Sequence, residues 1–313
     1  MRYFLCLINI QSLLVGRKKT TITLKQADLI ILTRPTDEEI QQLCQTFNLN
    51  KFSFRYRSSP EEVSRFHRTT SDVLDNPFFL VVYDYISSFK HIEKQLAPSL
   101  IIFDSDHLII CTDSEDSCKN ITNSNYSNLS EILFNYISQC QYKIMDVLVS
   151  YKKQIDDLDS AARRGFSNTR LRELTTLTRK LVFLEHTMVD QTSTIEALVK
   201  SDFCQNVPQD ICQNLTVEQQ RLTKAIHIFR DLLDSISSLF TAMMDSNLNN
   251  LMKFLDSAGL VIAVAALVTG FMGMNVGGLP WKNDLYRFWI TLGIASILSL
   301  LIAYLLHRKQ YLK

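Results

Sequence analysis

The chain has 313 residues, with 33 basic side chains against 32 acidic ones. That balance excludes the basic surface by which nucleic-acid binders hold phosphate, so no nucleic-acid partner is expected. Seven cysteines, an odd number scattered from Cys6 to Cys212 without a Cys-x-x-Cys pair, argue against a disulfide framework or a thiolate zinc site and fit reduced cytosolic thiols.

The amino-terminal run Met1-Arg2-Tyr3-Phe4-Leu5-Cys6-Leu7 is broken by Asn9 and Gln11, lacks a small-residue cleavage site and leads into Gly16-Arg17-Lys18-Lys19. It reads as a first strand, not a secretory signal, and the bulk of the protein is expected in the cytosol. Stretches 4–10, 29–32, 78–84, 99–103 and 107–112 are rich in Val, Ile, Phe and Tyr and bounded by Asp, Ser, Pro or Asn, as strands are. Between them Thr36-Asp37-Glu38-Glu39 and Ser59-Pro60-Glu61-Glu62 each offer a cap and acidic first-turn residues, the start of a helix. Residues 1–125 therefore form an α/β (or α+β) cytoplasmic domain, and the Ser/Asn-rich stretch 120–128 reads as the linker that closes it.

Residues 126–256 form a long-helix stalk. Apolar side chains at 133, 137, 140, 144, 147, 151, 155 and 158 give one helix. After a break at 164–168, a second seam runs through Leu174, Leu177, Leu181, Leu184, Met188, Gln191, Ile195 and Leu198 in strict 3-4 alternation, a stripe fit to pack on a neighbouring helix. A third begins beyond Asn206-Val207-Pro208, through Leu215, Leu222, Ile226, Phe229, Leu233, Ile236, Phe240 and Met243. No proline interrupts it from 215 to 276, so it can run straight into the apolar segment that follows and reach roughly 90 Å by Gly273.

Residues 257–281 carry no charge, and neither do 288–306; each is near the ~20 residues that cross a bilayer core. Two transmembrane helices over 257–306 follow, joined by a short outer loop, 276–287, flanked by Trp281, Tyr286, Phe288 and Trp289 as interfacial anchors. Lys253 before the spans and the basic tail 307–313, with Arg308, Lys309 and Lys313, place both termini inside. In the first span Gly259, Ala263, Ala266 and Gly270 recur every three or four residues, a stripe of small side chains that permits close helix contact or lines a narrow pore. The bulkier second span, with Ile290, Leu292, Ile294, Ile297, Leu298, Leu300 and Leu301, suits lipid, so first spans are expected inside and second spans outside.

The first span ends in Gly273-Met274-Asn275, followed by Val276-Gly277-Gly278-Leu279-Pro280-Trp281. In this setting the tripeptide resembles the signature of the CorA family of divalent-cation channels. The resemblance is specific over about 247–313, and the 276–280 turn is similar to that of the ZntB zinc-transporting branch. It implies a funnel-shaped homo-oligomer, a pentamer, in the cytoplasmic membrane, with no enzymatic activity and no resident cofactor. The transported ion is implied to be Mg2+, with Zn2+, Co2+ or Ni2+ as alternatives; a membrane-anchored coiled-coil scaffold is the competing reading, which gives no reason for a small-residue stripe ending in Gly273-Met274-Asn275. By the same likeness Gly273, Met274 and Asn275 form the selectivity motif at the outer mouth, and Asn249, Met252 and Leu255 a polar ring and hydrophobic constriction further in. Val264 departs from the proline of many members, and Ala263 and Ala266 replace larger or hydroxylated pore residues. The family's closure by cytoplasmic magnesium between subunits makes two clusters candidate regulatory sites: Asp104, Asp106, Asp113, Glu115 and Asp116, and Asp156, Asp157 and Asp159. A solvated acidic face is the competing reading of both.

The chemistry agrees with the likeness. Magnesium sheds water reluctantly, so a filter for it should hydrogen-bond to bound water, and a ring of neutral Asn275 amides can do so. A carboxylate ring would hold the ion longer and slow conduction. The carboxyl end of the first span, with its free carbonyls and partial negative charge, would face the outer mouth, and Gly273, Gly277 and Gly278 suit the end of a helix.

Overall fold

The computed structural model describes residues 5–8, 27–50, 54, 62–89, 91–116, 121, 126, 128–164, 168–274 and 286–308. Among these, six strands make one sheet: β1 (Leu5–Ile8), β2 (Leu29–Thr33), β3 (Arg65–Arg68), β4 (Phe78–Tyr85), β5 (Leu96–Phe103) and β6 (Leu108–Thr112). Their order is β1-β2-β6-β5-β4-β3, with β2 and β6 parallel and the other pairs antiparallel. Two short helices belong to this part, α1 (Asp37–Phe47) and α2 (Ile92–Gln95). Helices α3 (Leu129–Arg164), α4 (Asn168–Val199), α5 (Gln209–Gly273) and α6 (Arg287–Arg308) follow, with a 3-10 turn, Asp202–Asn206, between α4 and α5.

Every residue of β2 and β6 is buried, because both faces of the sheet are covered. Successive side chains point to opposite faces. Ile30, Leu32, Val81, Ile102 and Ile109 therefore join Ile40, Leu43 and Phe47 of α1 in one core. Leu29, Ile31, Leu80, Val82, Ile101 and Ile110 meet Ile132, Leu133, Tyr136, Ile137 and Cys140 of α3, with Ile195 and Leu198 of α4 and Leu215 of α5, in the other. The domain is a three-layer sandwich. Helix α1 starts where the sequence puts its cap: Thr36 Oγ1 accepts the Glu39 N–H at 3.2 Å, and the Glu39 carboxylate accepts the Thr36 N–H at 2.7 Å. It ends on Asn48 at φ 48°, the left-handed geometry that asparagine tolerates.

The second seam is buried at all eight expected positions, from Leu174 to Leu198, including Gln191. The third is buried at Leu215, Leu222, Ile226, Leu233, Ile236 and Phe240, with Phe229 and Met243 half-buried. On α3 the stripe shifts by one at Leu148, which is buried while Val147 is half-covered. The chain divides into two compact units, one of Met1–Ala161 and Ser167–Ile236, the other of Ala162–Phe166 and Ser237–Lys313. Helix α5 is continuous across that division.

Three local expectations need correction. No helix follows Glu62: residues 62–64 are irregular and Arg65–Arg68 is strand β3, because Phe66 gains a stack on Phe78, at 5.3 Å between centroids, once β3 pairs with β4. Residues Ser59, Pro60 and Glu61 lie outside the described residues. The stretch 120–128 is more than a linker, since Ile121 and Tyr126 are buried in the core shared with α3. The strand expected at 99–103 begins earlier, at Leu96, and accommodates Pro98 opposite Tyr83.

Candidate ion-conduction site

Helix α5 carries the whole line of expected pore residues up to Gly273. At about 100° per residue, Asn249, Met252, Leu255, Gly259, Ala263, Ala266, Gly270 and Gly273 fall within one face, a line about 36 Å long. All eight are exposed in the single chain, Met252 at 55% and Leu255 at 58%. Ser257, Val261, Val264 and Val268 lie roughly opposite and are buried or half-buried. On α6, Ala295 is buried, and Ile290, Thr291, Gly293, Ile294, Ser299, Ile302, Ala303 and Leu306 are half-covered. The small-residue stripe thus lies within the uncovered surface of the first span, beside the equally exposed Leu260, Ile262, Leu267 and Phe271, and Val264, the departure from the family pattern, lies off it.

Added side-chain carbons at Gly259, Gly270 or Gly273 would meet nothing within 4 Å, so the stripe offers room rather than contact inside one chain. Near the carboxyl end of α5 an apolar recess of about 560 Å³ is bordered by Leu267, Gly270, Phe271, Met274 and, from α6, Ile294. Helix α5 closes with a tightened turn, the Met274 N–H donating to the Phe271 carbonyl at 3.3 Å. Asn275 and the 276–285 turn lie outside the described residues. On α6, Leu292, Ile297, Leu298, Leu300 and Leu301 are exposed, while Ile290 and Ile294 are half-covered. Tyr286, Phe288 and Trp289 are 74%, 66% and 67% exposed at the start of that span.

The carboxylates are placed differently from one another. Asp104 is buried, and its oxygens accept the N–H groups of Asp106 at 2.8 Å, His107 at 2.6 Å and Asp75 at 3.0 Å, which pins the β5–β6 turn. Asp106 is exposed in the same turn. Glu115 pairs with Arg34 at 3.2 Å. Asp156 and Asp157 are exposed on α3 and Asp159 is half-exposed. Among the described residues no three His, Cys, Asp or Glu side chains of one chain come together as a metal site.

Two buried polar features escaped the sequence reading. Asp84 on β4, fully buried, holds the Lys143 ammonium of α3 at 3.2 Å, and Lys143 also donates to Ser114 Oγ at 3.0 Å. Burial also pushes the neighbouring Tyr136 hydroxyl well above the usual phenol range, and it donates to Ser99 Oγ at 2.8 Å. The second feature is the pair Gln141 and Gln219, which join Gln191, already placed in the second seam; Gln219 falls between Leu215 and Leu222 where the 3-4 rhythm wants an apolar residue, and that break was the available signal.

Beyond the sheet domain, the 65-residue α5 ends in an apolar stretch and α6 follows, two helices long and apolar enough to cross a membrane. Residues 25–308 match the family of CorA-like Mg2+ transporter proteins, and the chain belongs to that family, one of membrane transporters. It is 18% identical over 292 residues to the cobalt/magnesium transport protein CorA of Methanocaldococcus jannaschii, covering 89% of each chain. To the magnesium transport protein CorA of Wolinella succinogenes it is 21% identical over 294 residues, 90% of each. The complete structure of the M. jannaschii CorA magnesium transporter superposes with a TM-score of 0.79 at 15% identity, covering 94% of this chain and 95% of that one. The ZntB cytoplasmic domain from Vibrio parahaemolyticus gives 0.58 at 12% identity, covering 70% and 88%. At these identities the likenesses show a shared fold.

Proposed function

We propose that the chain is a channel for hydrated magnesium, assembled as a funnel-shaped homopentamer in the cytoplasmic membrane with both termini inside. First spans line the pore, second spans face lipid, and Gly273-Met274-Asn275 stands at the outer mouth. The observation that carries this reading is the uncovered face of α5, on which eight expected lining residues from Asn249 to Gly273 share one exposed line. Several copies that turn this face inward would bring small side chains and the end of each helix to one axis, where helix-end carbonyls concentrate cations. The relatives named for magnesium and for cobalt/magnesium support the choice of ion.

The amide of Asn275 hydrogen-bonds to water already bound to the ion, so the hydration shell need not be stripped. Met252 and Leu255 narrow the inner end. Proteoliposomes loaded with magnesium-sensitive or zinc-sensitive dye test the proposal. Wild type should admit magnesium, and Asn275→Ala should abolish influx while leaving the oligomer intact by size-exclusion chromatography. Undiminished flux through Asn275→Ala would remove the filter role, and a zinc signal without a magnesium one would reassign the ion.

A further inference from the structure

The connection between α3 and α4 carries a charge that ion conduction does not use. Between Asp159 and Glu173 the sequence has four arginines, at 163, 164, 170 and 172, and no acid. Arg163, Arg170 and Arg172 are exposed, and so are Asn168, Thr169 and Leu171. The side chain of Arg164 lies outside the described residues. Arg170 pairs with Glu173 at 2.7 Å, but both side chains are well exposed, and water weakens such a contact enough to leave the guanidinium free to meet a second anion.

The place of this connection follows from the helices beside it. Hydrogen bonds join Gln191 to Gln219, Thr192 to Thr223 and Glu185 to Arg230, so α4 and α5 run antiparallel, and the amino end of α4 points the way α5 travels toward its apolar stretch. Residues 162–166 belong to the compact unit that holds Ser237–Lys313, and with it that apolar stretch and all of α6. On α5 the cover ends at Met243, since every residue from Met244 to Met252 is exposed. Met243 stands about 20 Å along the helix before the uncharged run that opens at Ser257. A headgroup layer takes up about 5–8 Å of that distance. Extended arginine side chains and a Debye length of about 8 Å span most of the remainder.

The charge also changes sign in the matching direction. Asp156, Asp157 and Asp159 lie one to two turns before Arg163 on α3, away from the spans, and the arginines occupy the end nearest them. We propose that the α3–α4 connection docks on the bilayer leaflet that faces the sheet domain, with Arg163, Arg170 and Arg172 holding the phosphates of anionic lipid headgroups. A planar guanidinium can give two N–H groups to one phosphate, and anionic headgroups attract basic segments next to a span within about a Debye length. This rests on the two-span reading and is independent of which ion is conducted.

Amide hydrogen exchange on the full chain in nanodiscs, read by mass spectrometry, tests the docking. In discs with about one-third phosphatidylglycerol at low salt, peptides covering 163–172 should exchange at least about threefold more slowly than in pure phosphatidylcholine. The difference should vanish near 1 M salt, where the Debye length is about 3 Å. Arg163→Gln, Arg170→Gln and Arg172→Gln combined should remove it as well, while peptides of the sheet domain exchange as in wild type. Equal exchange in the two discs, or protection that survives high salt or the triple substitution, would overturn the proposal and leave the arginines serving only their own helices. Protection raised in phosphatidylcholine discs by inorganic phosphate alone would also overturn it, by assigning the surface to a free anion. A wild-type chain that alkaline carbonate strips from vesicles would sink the two-span reading and the docking with it, whereas a chain retained there with a lipid-blind connection sinks the docking alone.

Discussion

Lys143 reaches from α3 to a carboxylate that water does not touch, and Asp84 has no exposure in its side chain. Removing only the cation leaves that charge buried, which typically costs about 3–5 kcal/mol, whereas removing both charges together costs much less. Lys143→Met should therefore lower the melting temperature in detergent sharply, and Asp84→Asn added to it should recover most of the loss. A double variant no better than the single would mean that Lys143 acts by packing alone. The thiol of Cys204 makes a second case. Burial, with the neighbouring Cys212 as a smaller cause, pushes it up to about 12 from an ordinary 9.0, and it donates to the Leu198 carbonyl at 3.1 Å. Between those two values the unfolded chain has lost the proton and the folded chain keeps it, so stability present below pH 9 falls as pH rises. Buried Tyr83 and Tyr151, also raised chiefly by burial, add to the alkaline loss at higher pH. Melting temperatures measured from pH 8 upward should decline, and Cys204→Ala should flatten the first part of that decline.

At the scale of elements, Thr36→Ala removes the Thr36 hydroxyl from the reciprocal cap of α1 and should cost about 1 kcal/mol, read as a lower melting temperature with influx unchanged. That cap was legible because its chemistry is local: the hydroxyl and Glu39 are three residues apart. The seams of α4 and α5 were legible for the same kind of reason, since a 3-4 rhythm depends on spacing alone. Strand β3 was not. Arg65-Phe66-His67-Arg68 has a single apolar side chain facing the core, and only β4, ten residues further on, makes it a strand. The buried polar ties were hidden by distance as well, for Asp84 and Lys143 are 59 residues apart and Gln141 and Gln219 are 78 apart. Of the expected site, the small-residue stripe could be read from periodicity, and its position opposite the covered face required coordinates. Asp104 showed the reverse: its charge suggested an ion ligand, and the fold turns it onto three backbone N–H groups.

For the whole molecule, the uncovered face of α5 matters only once several chains meet. Gly270→Leu adds bulk where a single chain offers open space, so the monomer fold should be untouched. In the proposed assembly the same side chain enters the shared axis from every subunit, and influx should fall by at least about tenfold with the melting temperature little altered. A variant that conducts normally would move the pore lining to another face.

One further consequence concerns the continuity of α5, which runs 65 residues from the sheet domain into the first span without a break. Such a rod has a phase as well as a length. Inserting a single residue between Ser237 and Leu248 would turn everything downstream by about 100°, swinging glycines and alanines away from the axis they are aimed at. Seven inserted residues, close to two full turns, would turn it by only about 20° and lengthen the rod by about 10 Å. Chains lengthened by seven residues should still conduct where those lengthened by one do not, so tolerance to insertion in this segment should follow angle before size.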